Sequence, residues 1–294
     1  MEVQSKNPLV RSHVESGKWV KVNGEQAFVF EKGEGVPIVC LHGVPASSFL
    51  YRKIIPVLAE KGYRAIAPDL MGMGLSAKPK DADYSWTSLG KWCGQLLDEL
   101  GLKEYHLVIH DIGGPIGCEL IANAPGRVLS VTILNSPIAN LAVFKKPFPM
   151  FFFEQAFIGE VFLQTTVPFL FRFLMHLRGV HNSRIFGLTE AKAYLYFLKR
   201  EDKGAAFLKV MRSFEANADK EKLYLDALRG LNVPIQIIWG IHDKGLRLEK
   251  YGSPLQRALR LDKIHEVDGS HFIQEDCAQV ISDQILALIA EPKQ

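Results

Sequence analysis

The sequence predicts an α/β fold, built as a mostly parallel sheet with helices on both faces and a helical cap inserted into it. Short runs of β-branched residues alternate with segments of helical spacing up to Ser136, and the alternation resumes near residue 235. Such alternation is typical of βαβ units, whose strands pair in parallel. With 294 residues, the chain is long enough for one such domain with an insertion.

The elements before Ser136 are predicted in order from the spacing of the apolar residues. Strands at 19–22 and 27–31 are joined by Asn23-Gly24, a pair that favours a tight hairpin turn. They are followed by a strand at 37–41, a helix at 50–60, a strand at 63–67, a helix at 89–100, a strand at 106–109, a helix at 115–123 and a strand at 129–134. This regular alternation favours a parallel sheet.

The segment after Ser136 breaks the alternation, because it is helical in spacing, rich in phenylalanine and without a recognisable parallel strand. We therefore predict a core of residues 1–136 and 220–294 and a helical cap of residues 137–219. Further core elements are predicted as a strand at 235–239, a helix at 253–259, a strand at 264–267 and a helix at 272–290. The cap phenylalanines are expected to form the interior of the cap or an apolar pocket. A weaker alternative is that residues 148–153, which follow two lysines, contact a membrane surface.

The composition excludes several classes of protein. Hydrophobic residues make up 48% of the chain and charged residues 23%, which is typical of a folded globular protein. The net charge of +3 argues against nucleic acid as a partner. The first 18 residues lack the apolar segment of a secretory signal and the four cysteines are widely spaced, so free thiols in the cytoplasm are expected. No metal-ligand spacing occurs, and Pro79 stops the helix that a nucleotide-binding glycine motif would need, so we expect neither a metal nor another cofactor.

The residues after the strand at 106–109 indicate the chemistry. His110-Asp111-Ile112-Gly113-Gly114 places an acid where the chain turns from strand to helix. A nucleophilic serine usually occupies such a turn, within G-x-S-x-G, and that pattern is absent from the chain. A carboxylate is already ionised at neutral pH and can displace a leaving group from a saturated carbon, which forms an ester on the enzyme. Asp111 is therefore the candidate nucleophile, and a serine esterase is disfavoured.

Two further residues complete a candidate catalytic triad. Asp243 follows the strand at 235–239 and His271 follows the strand at 264–267. All three candidates thus end parallel strands, at the edge where open α/β sheets gather their sites. Backbone N–H groups of Val44, after the strand at 37–41, and of Ile112, directly after the nucleophile, are predicted to stabilise an oxyanion.

These motifs resemble the aspartate-nucleophile branch of the α/β-hydrolase fold, which comprises haloalkane dehalogenases and epoxide hydrolases. The resemblance is carried by His42-Gly43-Val44-Pro45, by His110-Asp111-Ile112-Gly113-Gly114, by the segment from Gly269 to Asp276 and by the glycine-rich segment at 68–79. It implies a cofactor-independent hydrolase in which Asp111 forms an alkyl ester. His271, held by Asp243, would then activate the water that hydrolyses the ester. The implied partners are a small apolar organic substrate and water.

The resemblance leaves the substrate open. Haloalkane dehalogenases usually carry a tryptophan directly after the nucleophile, where this chain has Ile112, and many carry an asparagine at the position of Val44. Epoxide hydrolases usually use cap tyrosines, but no tyrosine lies between Asp111 and Tyr194, and the second position falls near Phe214. The acid and histidine loops favour a haloalkane dehalogenase-like activity. An epoxide hydrolase, another C–O or C–C hydrolase and a non-catalytic relative remain alternatives.

Further side chains near the motifs are candidates for substrate contact or for loop structure. The residues predicted to line the substrate pocket are His110, Asn135, Phe152 and Tyr194. Asp69, beside the glycine-rich segment, is instead expected to order its loop through hydrogen bonds to the backbone.

Overall fold

The computed structural model describes residues 5–290, and its centre is one eight-stranded sheet. The strands are β1 (Gly17–Val22), β2 (Glu25–Lys32), β3 (Pro37–Leu41), β4 (Arg64–Pro68), β5 (Tyr105–His110), β6 (Val128–Leu134), β7 (Ile235–Gly240) and β8 (His265–Val267). They lie in the order β1-β2-β4-β3-β5-β6-β7-β8. The pairs β1–β2 and β2–β4 are antiparallel, and the other pairs are parallel. The predicted fold class is confirmed.

Helices surround this sheet and also form the insertion between β6 and β7. They are α1 (Pro8–Glu15), α2 (Ile54–Glu60), α3 (Trp86–Glu99), α4 (Gly113–Asn123), α5 (Ile158–Thr165), α6 (Pro168–Leu174), α7 (Leu188–Lys199), α8 (Ala205–Arg212), α9 (Ala218–Arg229), α10 (Ser253–Leu259), α11 (Ile273–Asp276) and α12 (Ala278–Ala290). Helices α3, α4 and α9 pack together, as do α2 and α12. All six residues of β5 are buried, as expected for a parallel strand covered on both faces.

The predicted hairpin forms between β1 and β2. Its turn residues Asn23 and Gly24 both have positive φ, at 51° and 86°. This backbone suits the asparagine–glycine pair and matches the right-handed twist of the strands. The structure also contains α1, which the sequence analysis did not predict. Its start has a recognisable signal, because the Asn7 side chain accepts from the Leu9 N–H and Pro8 stands at the first helical position.

Two predicted helices are divided in the structure. The helix predicted at 50–60 is a 3₁₀ turn, Ser48–Tyr51, followed by α2. The helix predicted at 272–290 is interrupted at Cys277, where the backbone φ of −131° leaves the helical region between α11 and α12. The spacing of apolar residues correctly predicts helical structure in both segments, but spacing alone does not locate a break.

The chain between β6 and β7 contains helices α5 to α9 and no strand within the described residues. Helix α9 packs against α4 of the core, so the predicted boundary between 219 and 220 falls in the first turn of a core helix. Helix α6 continues into a π-helical turn, Met175–Gly179. In residues 5–290 no single helix meets the length and hydropathy of a membrane span, and only the bent pair Ile158–Thr165 and Pro168–Gly179 meets them jointly.

Candidate active site

The fold holds the Asp111 backbone in a turn between β5 and α4. Its φ is +52°, a left-handed conformation that costs free energy in a residue other than glycine. Hydrogen bonds fix this turn, because the Ser136 hydroxyl donates to the Asp111 carbonyl at 2.7 Å and the Asp111 N–H donates to the Asn135 carbonyl at 3.3 Å. A Cβ on Gly43 would lie 2.2 Å from Asp111 Oδ1, so a glycine is required opposite the carboxylate.

The Asp111 carboxylate has a different partner at each oxygen. The Val44 N–H donates to Oδ1 at 2.8 Å, and His271 Nε2 lies 3.4 Å from Oδ2. Ile112 is the N-cap residue of α4, where helix N–H groups have no partner within the helix. The structure thus brings Val44, Asp111 and His271 together as the sequence predicts.

Asp243 holds the other side of the histidine. His271 Nδ1 lies 2.9 Å from Asp243 Oδ2, and Asn135 Nδ2 donates to the same oxygen at 2.8 Å. The N–H groups of Gly245 and Leu246 both donate to Asp243 Oδ1 at 2.8 Å. The carboxylate is therefore buried and fully engaged, and it fixes the orientation of the imidazole.

Charges in this buried site shift the pKa of Asp111 and that of His271 in opposite directions. Burial alone raises the pKa of Asp111, but the hydrogen bond and positive charge of His271 outweigh it and hold that pKa below its ordinary value of 3.8. Burial alone lowers the pKa of His271, but Asp243 and Asp111 outweigh it and hold that pKa well above 6.5. At neutral pH the resting site therefore contains an imidazolium between two carboxylates.

The side chain of His110 supports the main chain of His271. Burial and the positive charge of His271 lower the pKa of His110 to about 3, so its ring is neutral at neutral pH. Its Nε2 donates to the backbone carbonyl of His271 at 2.9 Å. His110 thus positions the main chain of His271 rather than contacting a substrate.

A cavity of about 110 Å³ lies between the triad and the cap. Its wall includes Asp111, Asp243 and His271, together with the cap aromatic residues Phe144, Phe148, Phe153, Phe162, Phe171 and Phe214. Lys146, Thr166 and Arg178 are the polar cap side chains among the described lining residues, which include neither tryptophan nor tyrosine. The Lys146 side chain is only 7% exposed, and its ammonium lies 4.1 Å from the centre of the Phe214 ring.

The four predicted pocket residues do not line this cavity, so that prediction was wrong. Asn135 lies behind Asp243, and His110 behind His271, as described above. Phe152 packs against other cap rings, with its centroid 4.2 Å from that of Phe151. The Tyr194 hydroxyl donates to buried Glu275 at 2.7 Å. These four side chains make contacts outside the cavity, and their positions in the sequence do not indicate this.

The sequence does not predict Lys146 and Arg178 at the site, and it predicts Asn135 in the pocket, whereas Asn135 lies behind Asp243. The supporting role of Asn135, at φ +29°, follows from its place after β6, since its Oδ1 also accepts from the Gly240 N–H at 2.9 Å. Lys146 and Arg178 carried a weak signal, because they are charged residues within an aromatic segment. The prediction for Asp69 is confirmed, since its carboxylate accepts from the Leu75 N–H of its own loop and from the Ser48 N–H of a neighbouring 3₁₀ turn, both at 2.6 Å.

One group of side chains in the described part of the chain has the geometry to hold a metal ion. One ligand atom each from His181, His242 and Asp268 lie within 4.8 Å of one another. The group joins the cap to the loops after β7 and β8, and it is not part of the cavity wall. Spacing along the chain could not indicate it, because the three residues come from distant segments.

Curated relatives agree with this architecture. An uncharacterised hydrolase of Saccharomyces cerevisiae is 25% identical over 263 residues, which cover 86% of this chain and 89% of the relative. A haloalkane dehalogenase of Psychrobacter cryohalolentis is 43% identical over 101 residues, 34% of this chain and 33% of that protein. A cis-3-alkyl-4-alkyloxetan-2-one decarboxylase of Shewanella oneidensis is 38% identical over 131 residues, 44% and 41% of the two chains. The last two similarities thus cover less than half of either chain.

Solved structures share the fold over nearly the whole chain. A haloalkane dehalogenase from Bradyrhizobium elkani matches with a TM-score of 0.76 at 24% identity, covering 94% of this chain and 97% of that one. An epoxide hydrolase from Vigna radiata matches with a TM-score of 0.74 at 22% identity, covering 93% and 97%. The family model described as the alpha/beta hydrolase fold matches residues 36–277. The chain therefore belongs to the α/β-hydrolase fold family and is an α/β-fold hydrolase.

Proposed function

We propose that this protein is a cofactor-independent hydrolase that forms a covalent alkyl ester on Asp111. One observation carries the proposal: the Asp111 carboxylate faces an apolar cavity while His271 Nε2 lies 3.4 Å from its Oδ2. A binding protein would need neither the charged nucleophile nor the acid–histidine pair behind it. This argument disfavours a non-catalytic relative.

The first proposed step is attack of Asp111 on a saturated carbon. The Val44 N–H holds Oδ1, which leaves Oδ2 to form the new bond. The pKa of Asp111 lies below its ordinary value, so the attacking group is ionised over the whole neutral range. Attack needs no base, and the leaving group departs with the bonding electron pair.

The second proposed step is hydrolysis of the ester with His271 as the base. Alkylation removes the negative charge of Asp111, and this charge is one of the causes that raise the pKa of His271. The pKa of His271 therefore falls when the ester forms, and the ring can lose a proton and activate water. As water attacks the ester carbonyl carbon, the N–H groups of Val44 and Ile112 are the proposed oxyanion donors.

The cavity wall indicates an apolar substrate whose leaving group departs as an anion. The lining is mainly phenylalanine and aliphatic, and Lys146, whose ammonium pairs with Glu154 at 2.5 Å, supplies a partly compensated positive charge beside it. A positive charge stabilises a departing anion without transferring a proton. This favours a haloalkane, and short chloroalkanes and bromoalkanes are the proposed substrate class. An epoxide is the weaker candidate, because the described lining contains no tyrosine to protonate its oxygen.

Mass spectrometry of the His271→Ala protein tests the proposal. Incubated with a substrate, this variant is expected to accumulate the alkyl ester on the peptide that contains Asp111, because the base for hydrolysis is missing. The Asp111→Asn, His271→Ala double variant is the matched control and should remain unmodified. Halide release from bromoalkanes and diol formation from styrene oxide would distinguish the two substrate classes. If substrate is consumed while Asp111 stays free of ester, the covalent mechanism is wrong.

A strained lactone is a second candidate substrate class. The Shewanella oneidensis relative is named for decarboxylating an oxetan-2-one. Attack by Asp111 on the saturated ring carbon breaks the bond from this carbon to the ring oxygen, which gives an ester on Asp111 and a carboxylate that stays on the substrate and needs no proton donor. In the second proposed step this carboxylate leaves as carbon dioxide, its C–C bonding pair forms a C=C bond, and the C–O bond to Asp111 breaks, so an alkene is released and the Asp111 carboxylate is restored. This chemistry suits a cavity whose described lining lacks tryptophan and tyrosine. Carbon dioxide release from a dialkyl oxetan-2-one, lost in Asp111→Asn, would support this class, and an unchanged lactone would exclude it.

A further inference from the structure

Exposed apolar side chains are concentrated on one part of the cap. Among residues 5–290, fifteen large hydrophobic side chains are exposed, and eleven of them lie between 143 and 188. The most exposed phenylalanines among them are Phe157 at 78%, Phe169 at 70% and Phe173 at 57%. These three side chains alone leave on the order of 300–500 Å² of aromatic surface in water. That area equals the largest apolar patch of a typical soluble monomer, and such patches mark interaction sites.

The exposed residues form a regular face on α6 and its π-helical turn. Phe169, Phe173 and Leu177 are spaced by four residues and are all exposed. Phe171 and Met175, on the opposite side, are buried and line the cavity. A helix that is apolar on both sides is expected inside a protein or in contact with a membrane, and is unusual at a water-exposed surface.

Helix α5 repeats this arrangement. Phe162 and Leu163 line the cavity, whereas Ile158 and Val161 are exposed, as is Phe157 directly before the helix. The wall between the cavity and the outside is therefore one helix thick at α5 and α6. We call the exposed residues Phe157, Ile158, Val161, Val167, Phe169, Phe173 and Leu177 the outer cap face.

The charges around this face favour an anionic partner. Around this face, residues 157–189 contain Arg172, Arg178 and Arg184 and one acid, Glu160, whose carboxylate pairs with Arg212 at 2.8 Å. The predicted cap, 137–219, has 11 Lys and Arg against 7 Asp and Glu, a net charge of +4, although the whole chain carries only +3. A second copy of the chain would bring like charges together, which disfavours self-association through this face. Aromatic side chains beside arginines are typical of surfaces that lie in the interface of an anionic bilayer.

We propose that the outer cap face docks on the surface of an anionic lipid bilayer. Docking would place α5 and α6 in the bilayer interface, directly above the cavity, so an apolar substrate dissolved in the lipid could reach Asp111 through the cap. The delivery of substrate rests on the proposed function, whereas the docking does not. The aromatic segment considered from the sequence, residues 148–153, is not the main contact, because Phe153 is buried and Phe148 is less exposed than Phe157.

Vesicle co-sedimentation tests the docking. The full chain is expected to bind vesicles of phosphatidylcholine with phosphatidylglycerol more strongly than vesicles of phosphatidylcholine alone, and to lose part of this binding at high salt. The triple variant Phe157→Ser, Phe169→Ser, Phe173→Ser should weaken binding by at least about tenfold. The matched control is Val36→Ser with Val280→Ser, which removes exposed apolar side chains outside the cap and should bind as the parent does.

Two further measurements separate the possible results. Asp111→Asn should bind vesicles normally, so a failure of the proposed chemistry would leave the docking result intact. In Phe173→Trp, the new indole should shift its emission to shorter wavelength when anionic vesicles are added. Absence of vesicle binding by the parent protein, or equal binding by the triple variant, would overturn the proposal. A dimer in sedimentation velocity that the triple variant dissociates, without vesicle binding, would assign the face to a second copy instead.

Discussion

Replacing Asp243 by asparagine is expected to separate the two proposed chemical steps. Asp243 Oδ2 accepts from His271 Nδ1 at 2.9 Å and from Asn135 Nδ2 at 2.8 Å, while Oδ1 accepts from two backbone N–H groups. If the asparagine oxygen takes the place of Oδ1, it keeps the contacts with the two backbone N–H groups. The amide nitrogen then takes the place of Oδ2 and, being a donor itself, faces the donors His271 Nδ1 and Asn135 Nδ2. Two hydrogen bonds to a charged group are lost, and at about 1.5–3 kcal/mol each this removes roughly 3–6 kcal/mol of local stabilisation.

The substitution is expected to slow the second step, the hydrolysis of the ester, much more than the first. Without the Asp243 charge, the pKa of His271 loses the largest cause that raises it, and the ring loses its fixed orientation. Ester hydrolysis is expected to slow by about 10³–10⁴, as when the orienting acid of a triad is removed. Attack by Asp111 needs no base, so its rate should change by no more than about tenfold.

Rapid-quench mass spectrometry measures both steps in one experiment, with a substrate that also alkylates the His271→Ala protein. In Asp243→Asn, the leaving group should appear in a burst of one equivalent per enzyme, and the ester on Asp111 should persist. The control is Asp268→Asn, whose side chain is 79% exposed and lies outside the triad. If the burst disappears together with turnover, the base is needed for attack, and the assignment of His271 to the second step is refuted.

Three further predictions concern the cavity, the pH dependence and the turn at the nucleophile. Lys146→Met should slow the burst by about tenfold to a hundredfold without slowing ester hydrolysis, whereas exposed Lys145→Met should change neither rate. The pKa of His271 is raised in the folded state. The protonated ring therefore contributes its full stabilisation of the folded state below pH 6.5, and this stabilisation is lost as the pH rises through the raised pKa. The melting temperature should therefore fall on the alkaline side in the parent and change less in His271→Gln. Gly43→Ala would place a Cβ 2.2 Å from Asp111 Oδ1, so the burst should vanish while the circular dichroism spectrum is retained.

The geometry of the candidate site could be predicted because each of its parts follows a parallel strand. Asp111, Asp243 and His271 follow β5, β7 and β8, and the parallel pairing of these strands with their neighbours brings all three to one edge of the sheet. The Val44 N–H follows β3, which pairs with β5. Topology thus fixes these positions once the strands are recognised, whatever the exact side-chain packing.

The cavity wall could not be predicted in the same way. Which side of a cap helix faces the site depends on how the helices pack, and spacing along the chain gives only their periodicity. Phe152 and Phe153 are neighbours, yet only Phe153 lines the cavity. Lys146, in a loop, is held at the wall by Glu154, the last residue of a short 3₁₀ helix, which binds its ammonium at 2.5 Å. Which residues line the cavity therefore depends on tertiary contacts, and a local sequence pattern does not indicate them.

Glu275 shows how buried charges join the cap to the core behind the site. Its side chain is fully buried and binds Arg52 at 2.5 Å and Lys53 at 2.9 Å, both from the core. It also accepts from the hydroxyl of Tyr194, which belongs to α7 of the cap, at 2.7 Å. Burial raises the pKa of Glu275, but the charges of Arg52 and Lys53 outweigh it, so the residue is ionised.

Two substitutions should therefore have different costs. Glu275→Gln leaves the Arg52 guanidinium, which is 14% exposed, without a charged partner, and is expected to lower the free energy of unfolding by about 3–5 kcal/mol. Tyr194→Phe removes one hydrogen bond to the carboxylate and should cost about 1.5–3 kcal/mol. Urea denaturation monitored by tryptophan fluorescence measures both, and proteolysis within the cap should accelerate in each variant because the link to the core is weakened. A loss below about 1 kcal/mol in Glu275→Gln would show that water replaces the carboxylate and that the pair does not hold the cap.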